Sequence, residues 1–181
     1  MPHQSVLSPT DIVPGDHVSG NPQVAQATLL EYGDYECPDC RLAHIVVLAL
    51  QKELGDDICF VFRNYPLSTL HAHAENAAEA AESAAAAGSF WEMQDLLFEH
   101  QGSLDDDDLL EYGFRIGLDP DALARDLDMH RYWARVQQDV ESGRQSGVTS
   151  TPAFFINGIR HSGDYHFQTL LHAIQTAAAT H

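Results

Sequence analysis

ATLLEYGDYECPDC, residues 27–40, runs an apolar stretch directly into two cysteines separated by Pro38 and Asp39. The six residues ATLLEY, bounded by Gly33 and Asp34, predict a short buried strand. Beyond the cysteines, residues 41–54 carry Leu42, Ile45, Val46, Leu48, Ala49 and Leu54 as a helix-like apolar face, ending at Gly55. A strand that passes straight into a helix leaves Cys37 at the helix N-terminus, where unpaired amides and the helix dipole favour a thiolate. Pro38 suits the first helical position, where its missing N–H costs nothing. Cys40 lies one turn on, on the same face and within disulfide reach. The spacing therefore points to Cys37 as nucleophile and Cys40 as resolving thiol. Asp39 is expected to disfavour the thiolate and to pull toward a more reducing couple. Zinc is the rival reading, with His44, His71 and His73 close in sequence. Only one C-x-x-C pair is present, and the i,i+2 spacing of the H-A-H at 71–73 diverges on a helix. A pair without function is the third reading, and residue spacing leaves all three open.

Working outward, ICFVFRNY at 58–65 is β-branched and aromatic and predicts a second strand closed by Pro66. Residues 71–147 change to helical texture, with an alanine-rich segment stopped by Gly88 and then FWEMQDLLFEHQ at 90–101. PAFFING and IRHSG read as two strands joined through Asn157-Gly158, a type I′ hairpin signal, and residues 165–179 predict a last helix. The order is β-α-β, a helical block, then β-β-α: an α/β chain. Residues 1–24, rich in Pro, Gly, Ser and Asp without periodicity, read as an N-terminal arm.

The 181 residues, 44% hydrophobic, suffice for one domain with a proper core, and three cysteines exclude a disulfide framework of the small secreted kind. Nine basic against 27 acidic residues give a net charge of −18, which repels phosphate backbones and anionic lipid, so neither nucleic acid nor a membrane surface is expected as partner. No apolar run is long enough to span a bilayer. The N-terminal stretch has no basic n-region and no apolar h-region, so a cytoplasmic location is expected if Met1 is the start, and a periplasmic one only if the N-terminus is truncated. The absence of G-x-G-x-x-G, P-loop and G-x-S-x-G patterns argues against a bound nucleotide or a hydrolase. Cys59, alternating in a strand, is read as a buried apolar thiol, and Asp105 to Asp108 as acidic capping of a helix start rather than a calcium loop. Trp91, Phe98 and Trp133 are read as core.

A second segment, GVTSTPAFFING at 147–158, narrows the reading of the cysteine pair. With EYGDYECPDC, FRNYPL and HAHAENAAEAA, it resembles the DsbA-like branch of the thioredoxin superfamily, in particular a compact bacterial group with a CPxC motif. The likeness runs from about residue 16 onward. It implies a thioredoxin fold, residues 25–70 and 148–181, with an all-helical insertion, residues 71–147, between the second and third strands. It further implies that Pro152 is a cis-proline facing the cysteines and binding an extended substrate segment, and that Thr151 before it tunes redox potential. CPDC matches neither CGPC nor CPHC, so the direction of electron flow does not carry over.

The function expected is thiol–disulfide exchange with disulfide-containing or dithiol protein clients and a separate redox partner. Cys37 attacks, Cys40 resolves, and the direction in a reducing cytoplasm is reductive. No bound cofactor or metal is needed, since the electrons reside in the Cys37–Cys40 pair, and a monomer is expected. The alternative is a non-catalytic redox-sensing or metal-binding adaptor on the same fold, because domains of this kind also occur fused to membrane antiporters. A kappa-type glutathione-dependent isomerase is disfavoured, because those enzymes usually carry a serine in place of the pair.

Overall fold

The computed structural model describes residues 10–180. The apolar run becomes strand β2 (Ala27–Gly33) and the aromatic run β3 (Ile58–Asn64), following a short β1 (His17–Ser19). β2 and β3 pair in parallel with Leu30 opposite Val61, and parallel neighbours need a crossover, supplied here by α1 (Pro38–Leu54). After β4 (Ala153–Ile156) and β5 (Ile159–Arg160), the sheet runs β1-β3-β2-β4-β5, with β1, β4 and β5 each antiparallel to the neighbour they join. Asn157 and Gly158 sit at φ 48° and 79°, both positive as a type I′ turn requires.

Between β3 and β4 come five helices: α2 (Ala74–Ala86), α3 (Phe90–Glu99), α4 (Asp106–Arg115), α5 (Pro120–Asp128) and α6 (Trp133–Gln145). Asp105 caps α4, accepting from the Asp108 amide at 3.0 Å. The chain ends its described part with α7 (Phe167–Ala178). A mixed α/β sheet of this order with a helical insertion before the closing hairpin is the thioredoxin-like architecture that the motifs imply.

β3 is buried at all seven positions and β2 at six of seven, so both faces of the sheet are covered. On one face, Tyr32 and Arg63 meet α6, where the Tyr32 hydroxyl lies 2.9 Å from that of Ser142. A Cβ at Gly143 of α6 would stand 2.7 Å from the Tyr65 ring, which is why this helix comes so near. On the other face, Phe62 packs against Tyr35, Phe90 and Phe98, the last two from α3.

Three expectations change. Residues 17–19 lie within the stretch read as an arm, yet β1 pairs with β3, His17 opposite Phe62, and so belongs to the sheet; the rest of that stretch up to residue 9 lies outside the described residues. The buried face of α1 is Cys40, Ala43, His44, Val47 and Leu50, whereas Leu42, Ile45 and Leu48 are each about half exposed (54, 59 and 47%). The helix is apolar on two sides, and turning Cys40 inward selects the stripe at 40, 43, 47 and 50. Trp133, at the start of α6, is 47% exposed rather than in the core, while Phe98 is buried.

Candidate active site

β2 ends at Gly33, and the next four residues turn the chain into α1 with Cys37 as N-cap in extended conformation and Pro38 at the first helical position. That turn is tied down from several sides. Asp34, 1% exposed, accepts from the amides of Glu36 and Leu67 and pairs with His71 Nδ1, all at 2.8 Å. Gln101 Nε2 donates to the carbonyls of Tyr35 and Cys37 at 2.8 and 2.7 Å. The Glu36 carboxylate accepts from the His73 amide at 2.7 Å. Asp34 and Glu36 therefore brace the loop, and Glu36 is the one left partly exposed.

Cys37 and Cys40 are both free thiols in this structure. Cys37 is 6% exposed and Cys40 fully buried, as expected for an attacking and a resolving sulfur. The Cys40 thiol hydrogen-bonds to the Cys37 sulfur and brings its pKa down to about 6; burial opposes this, while Thr151 and the amides of Cys40 and Asp39 add to it. Burial drives Cys40 the other way, well above the ordinary thiol range, helped by its donation to Cys37 and by the Glu31 charge, although the Asp34 amide donates to its sulfur at 3.4 Å. The pair thus divides into a thiolate and a thiol near neutral pH.

Thr151 and Pro152 arrive from the far end of the chain. The Thr151–Pro152 peptide is cis, and the Thr151 carbonyl lies 3.5 Å from the Cys37 sulfur, 114 residues away in sequence. The Thr151 hydroxyl is buried, and it is this side chain that adds to the lowering of the Cys37 pKa. Asp39 is exposed, and its carboxylate accepts from the Tyr165 hydroxyl at 2.7 Å. All six residues singled out from the sequence therefore meet in one place.

Sequence reasoning missed two buried participants. Glu31 of β2 is 1% exposed, and its Oε1 has no partner among the described residues. Burial first, then the Cys37 charge, raise its pKa to about 8. A carboxylate inside the run ATLLEY is a visible anomaly and was the available signal. Gln101 gave none, because it reaches Cys37 across 64 residues from beyond the end of α3. Among the described residues, no group of three or more His, Cys, Asp or Glu stands where it could hold a metal ion. His44 instead stacks on Phe98 at 4.8 Å and pairs with Asp95 at 3.1 Å. No described helix is long and apolar enough to cross a membrane.

Comparison with known proteins gives a consistent result. A family model described as "Thioredoxin" matches residues 13–176. The Na(+)/H(+) antiporter NhaA 1 of Salinispora arenicola is 44% identical over 164 residues, 91% of this chain but 25% of its own length. The chain thus spans about a quarter of that curated relative. Among solved structures, BdbD from Bacillus subtilis in its oxidised form superposes with a TM-score of 0.83 at 22% identity, covering 91% of this chain and 94% of its own. A thioredoxin-like oxidoreductase from Silicibacter pomeroyi DSS-3 gives 0.81 at 27% identity, covering 92 and 94%.

Proposed function

Because the chain belongs to the thioredoxin family, as a DsbA-like oxidoreductase domain, we propose that it reduces disulfides of protein clients through Cys37 and Cys40. One observation carries the proposal: a Cys37 thiolate favoured at neutral pH beside a buried, protonated Cys40, with Thr151 facing the nucleophile. The Cys37 thiolate attacks one sulfur of a client disulfide. A Cys37–client bond forms, the client S–S bond breaks, and the leaving client thiolate takes up a proton. Cys40 then gives up its proton and attacks the Cys37 sulfur, forming the Cys37–Cys40 bond and releasing the second client thiol. Two electrons pass from the pair to the client, and a separate dithiol donor restores the enzyme. The proton lost by Cys40 goes to the departing client thiolate, since Glu31, with its pKa raised to about 8, is itself protonated at neutral pH.

The reductive direction is supported by how far the thiolate is stabilised. A Cys37 pKa of about 6 lies nearer the value of about 7 typical of thioredoxin than the value of about 3.5 of DsbA. The motif supplies a carboxylate, Asp39, where a cation would deepen the shift. Reducing conditions of a cytoplasm would suit this activity.

The test is the reduction potential of the pair, from equilibration with glutathione followed by alkylation and mass analysis. A value near about −270 mV is expected; one near about −120 mV would overturn the direction. Failure to form a reversible Cys37–Cys40 disulfide would overturn the function.

A further inference from the structure

The CPDC motif is touched from across the chain by one exposed contact, the Tyr165 hydroxyl on the Asp39 carboxylate, 126 residues apart. Tyr165 lies in the segment between β5 and α7. That segment is held in place by its own bonds. His161 Nε2 lies 2.9 Å from the Asp164 carbonyl, the His166 amide donates to Asp164 Oδ1 at 3.0 Å, and the Tyr165 and His166 rings stack at 6.1 Å. The hydroxyl is therefore presented to Asp39 by a fixed turn rather than meeting it by chance.

Asp39 stands between the two cysteines, and its own amide is among the donors that favour the Cys37 thiolate. Its side chain has the opposite tendency, since a carboxylate free to swing toward the sulfur repels the thiolate. A hydroxyl donating at 2.7 Å to that carboxylate spreads its charge and fixes where it points. We propose that Tyr165 is a positioning residue for disulfide exchange, holding the Asp39 carboxylate by its hydroxyl so that it does not oppose the Cys37 thiolate. The motif residue that weakens the nucleophile is thus restrained by a residue outside the motif, and the pair of them sets the redox poise.

This inference rests on the proposed exchange at Cys37–Cys40, and the experiment separates the two. Wild type, Tyr165→Phe, Asp39→Asn and the double variant are equilibrated with glutathione buffers, and the fraction of Cys37–Cys40 disulfide is read by alkylation and mass. Phe keeps the ring packing, and thermal melting checks the fold of each variant. Tyr165→Phe is expected to shift the equilibrium threefold or more toward the disulfide, at least about 14 mV more reducing for a two-electron couple. In the Asp39→Asn background the same substitution is expected to do nothing. An unchanged or more oxidising couple in Tyr165→Phe overturns the inference, as does an equal shift in the Asn background. If wild type forms no reversible disulfide, the exchange reading fails instead. The inference is then decided by iodoacetamide alkylation of Cys37 at pH 6, expected threefold slower in Tyr165→Phe, with an equal rate overturning it.

Discussion

Replacing Glu31 by Gln tests the buried carboxyl beneath the cysteine pair. Glu31 is 1% exposed and keeps its proton up to about pH 8, against 4.5 for the ordinary side chain. Between those values the unfolded chain has lost this proton while the folded chain retains it. Folding stability therefore falls as pH rises, by about 1.36 kcal/mol per unit. Across the whole interval the loss approaches roughly 5 kcal/mol, an upper figure because relaxation and water entry soften burial penalties. Gln has no such titration, so the change in stability difference with pH isolates the carboxyl from any packing change. Cys37 titrates in the same window but in both proteins, and it largely cancels. Denaturant unfolding of the reduced proteins at pH 5, 6, 7 and 8 measures the effect. Relative to wild type, Glu31→Gln is expected to gain at least about 2 kcal/mol between pH 5 and 8, within that upper figure. Parallel profiles, constant within about 0.5 kcal/mol, would show that Glu31 is ionised in the fold and would refute the reasoning.

Further outcomes are expected elsewhere. Cys40→Ser should accumulate mixed disulfides at Cys37 when offered a disulfide client, read on non-reducing gels; no adduct would count against attack by Cys37. Arg63, 2% exposed, donates twice to Asp16 at 2.8 Å and once to Tyr32 at 3.0 Å, so Arg63→Leu should strand a buried carboxylate and destabilise by about 3–5 kcal/mol in denaturant unfolding. At His71, burial pushes the pKa down but Asp34 overrides it and raises it above the usual 6.5. The stability it adds is fully present below pH 6.5 and lost as pH rises through the raised value. His71→Gln should therefore cost most near pH 5.5 and little above pH 8, and a pH-independent cost would refute the pairing.

Two cysteines at i and i+3 behind Pro38, between a strand pattern and a helix pattern, needed only local rules to be read, because capping and turn chemistry act within about four residues. The Asn157-Gly158 turn was readable for the same reason, since few other residues take two positive φ angles in succession. Thr151 and Pro152 were reached through the resemblance of their motif, since spacing alone gives no cause for residues more than a hundred positions away to face Cys37.

Other features belong to the tertiary structure alone. Apolar residues lie on two sides of α1, and only packing against β3 and α3 decided that Val47 and Leu50 go in while Ile45 and Leu48 stay out. Strand β1 joined the sheet because β3 presents a free edge to it, a pairing that no pattern within residues 1–24 announces. Glu31 took on a pKa near 8 because a carboxyl, an oddity in an apolar run but freely ionised in an open chain, becomes costly to ionise once the fold buries it. By itself the sequence determined the reactive turn and the hairpin, whose causes are short-range. The tertiary structure decided what surrounds the sulfurs (Glu31, Thr151, Gln101 and Tyr165), because burial and long-range contact exist only after the chain has folded.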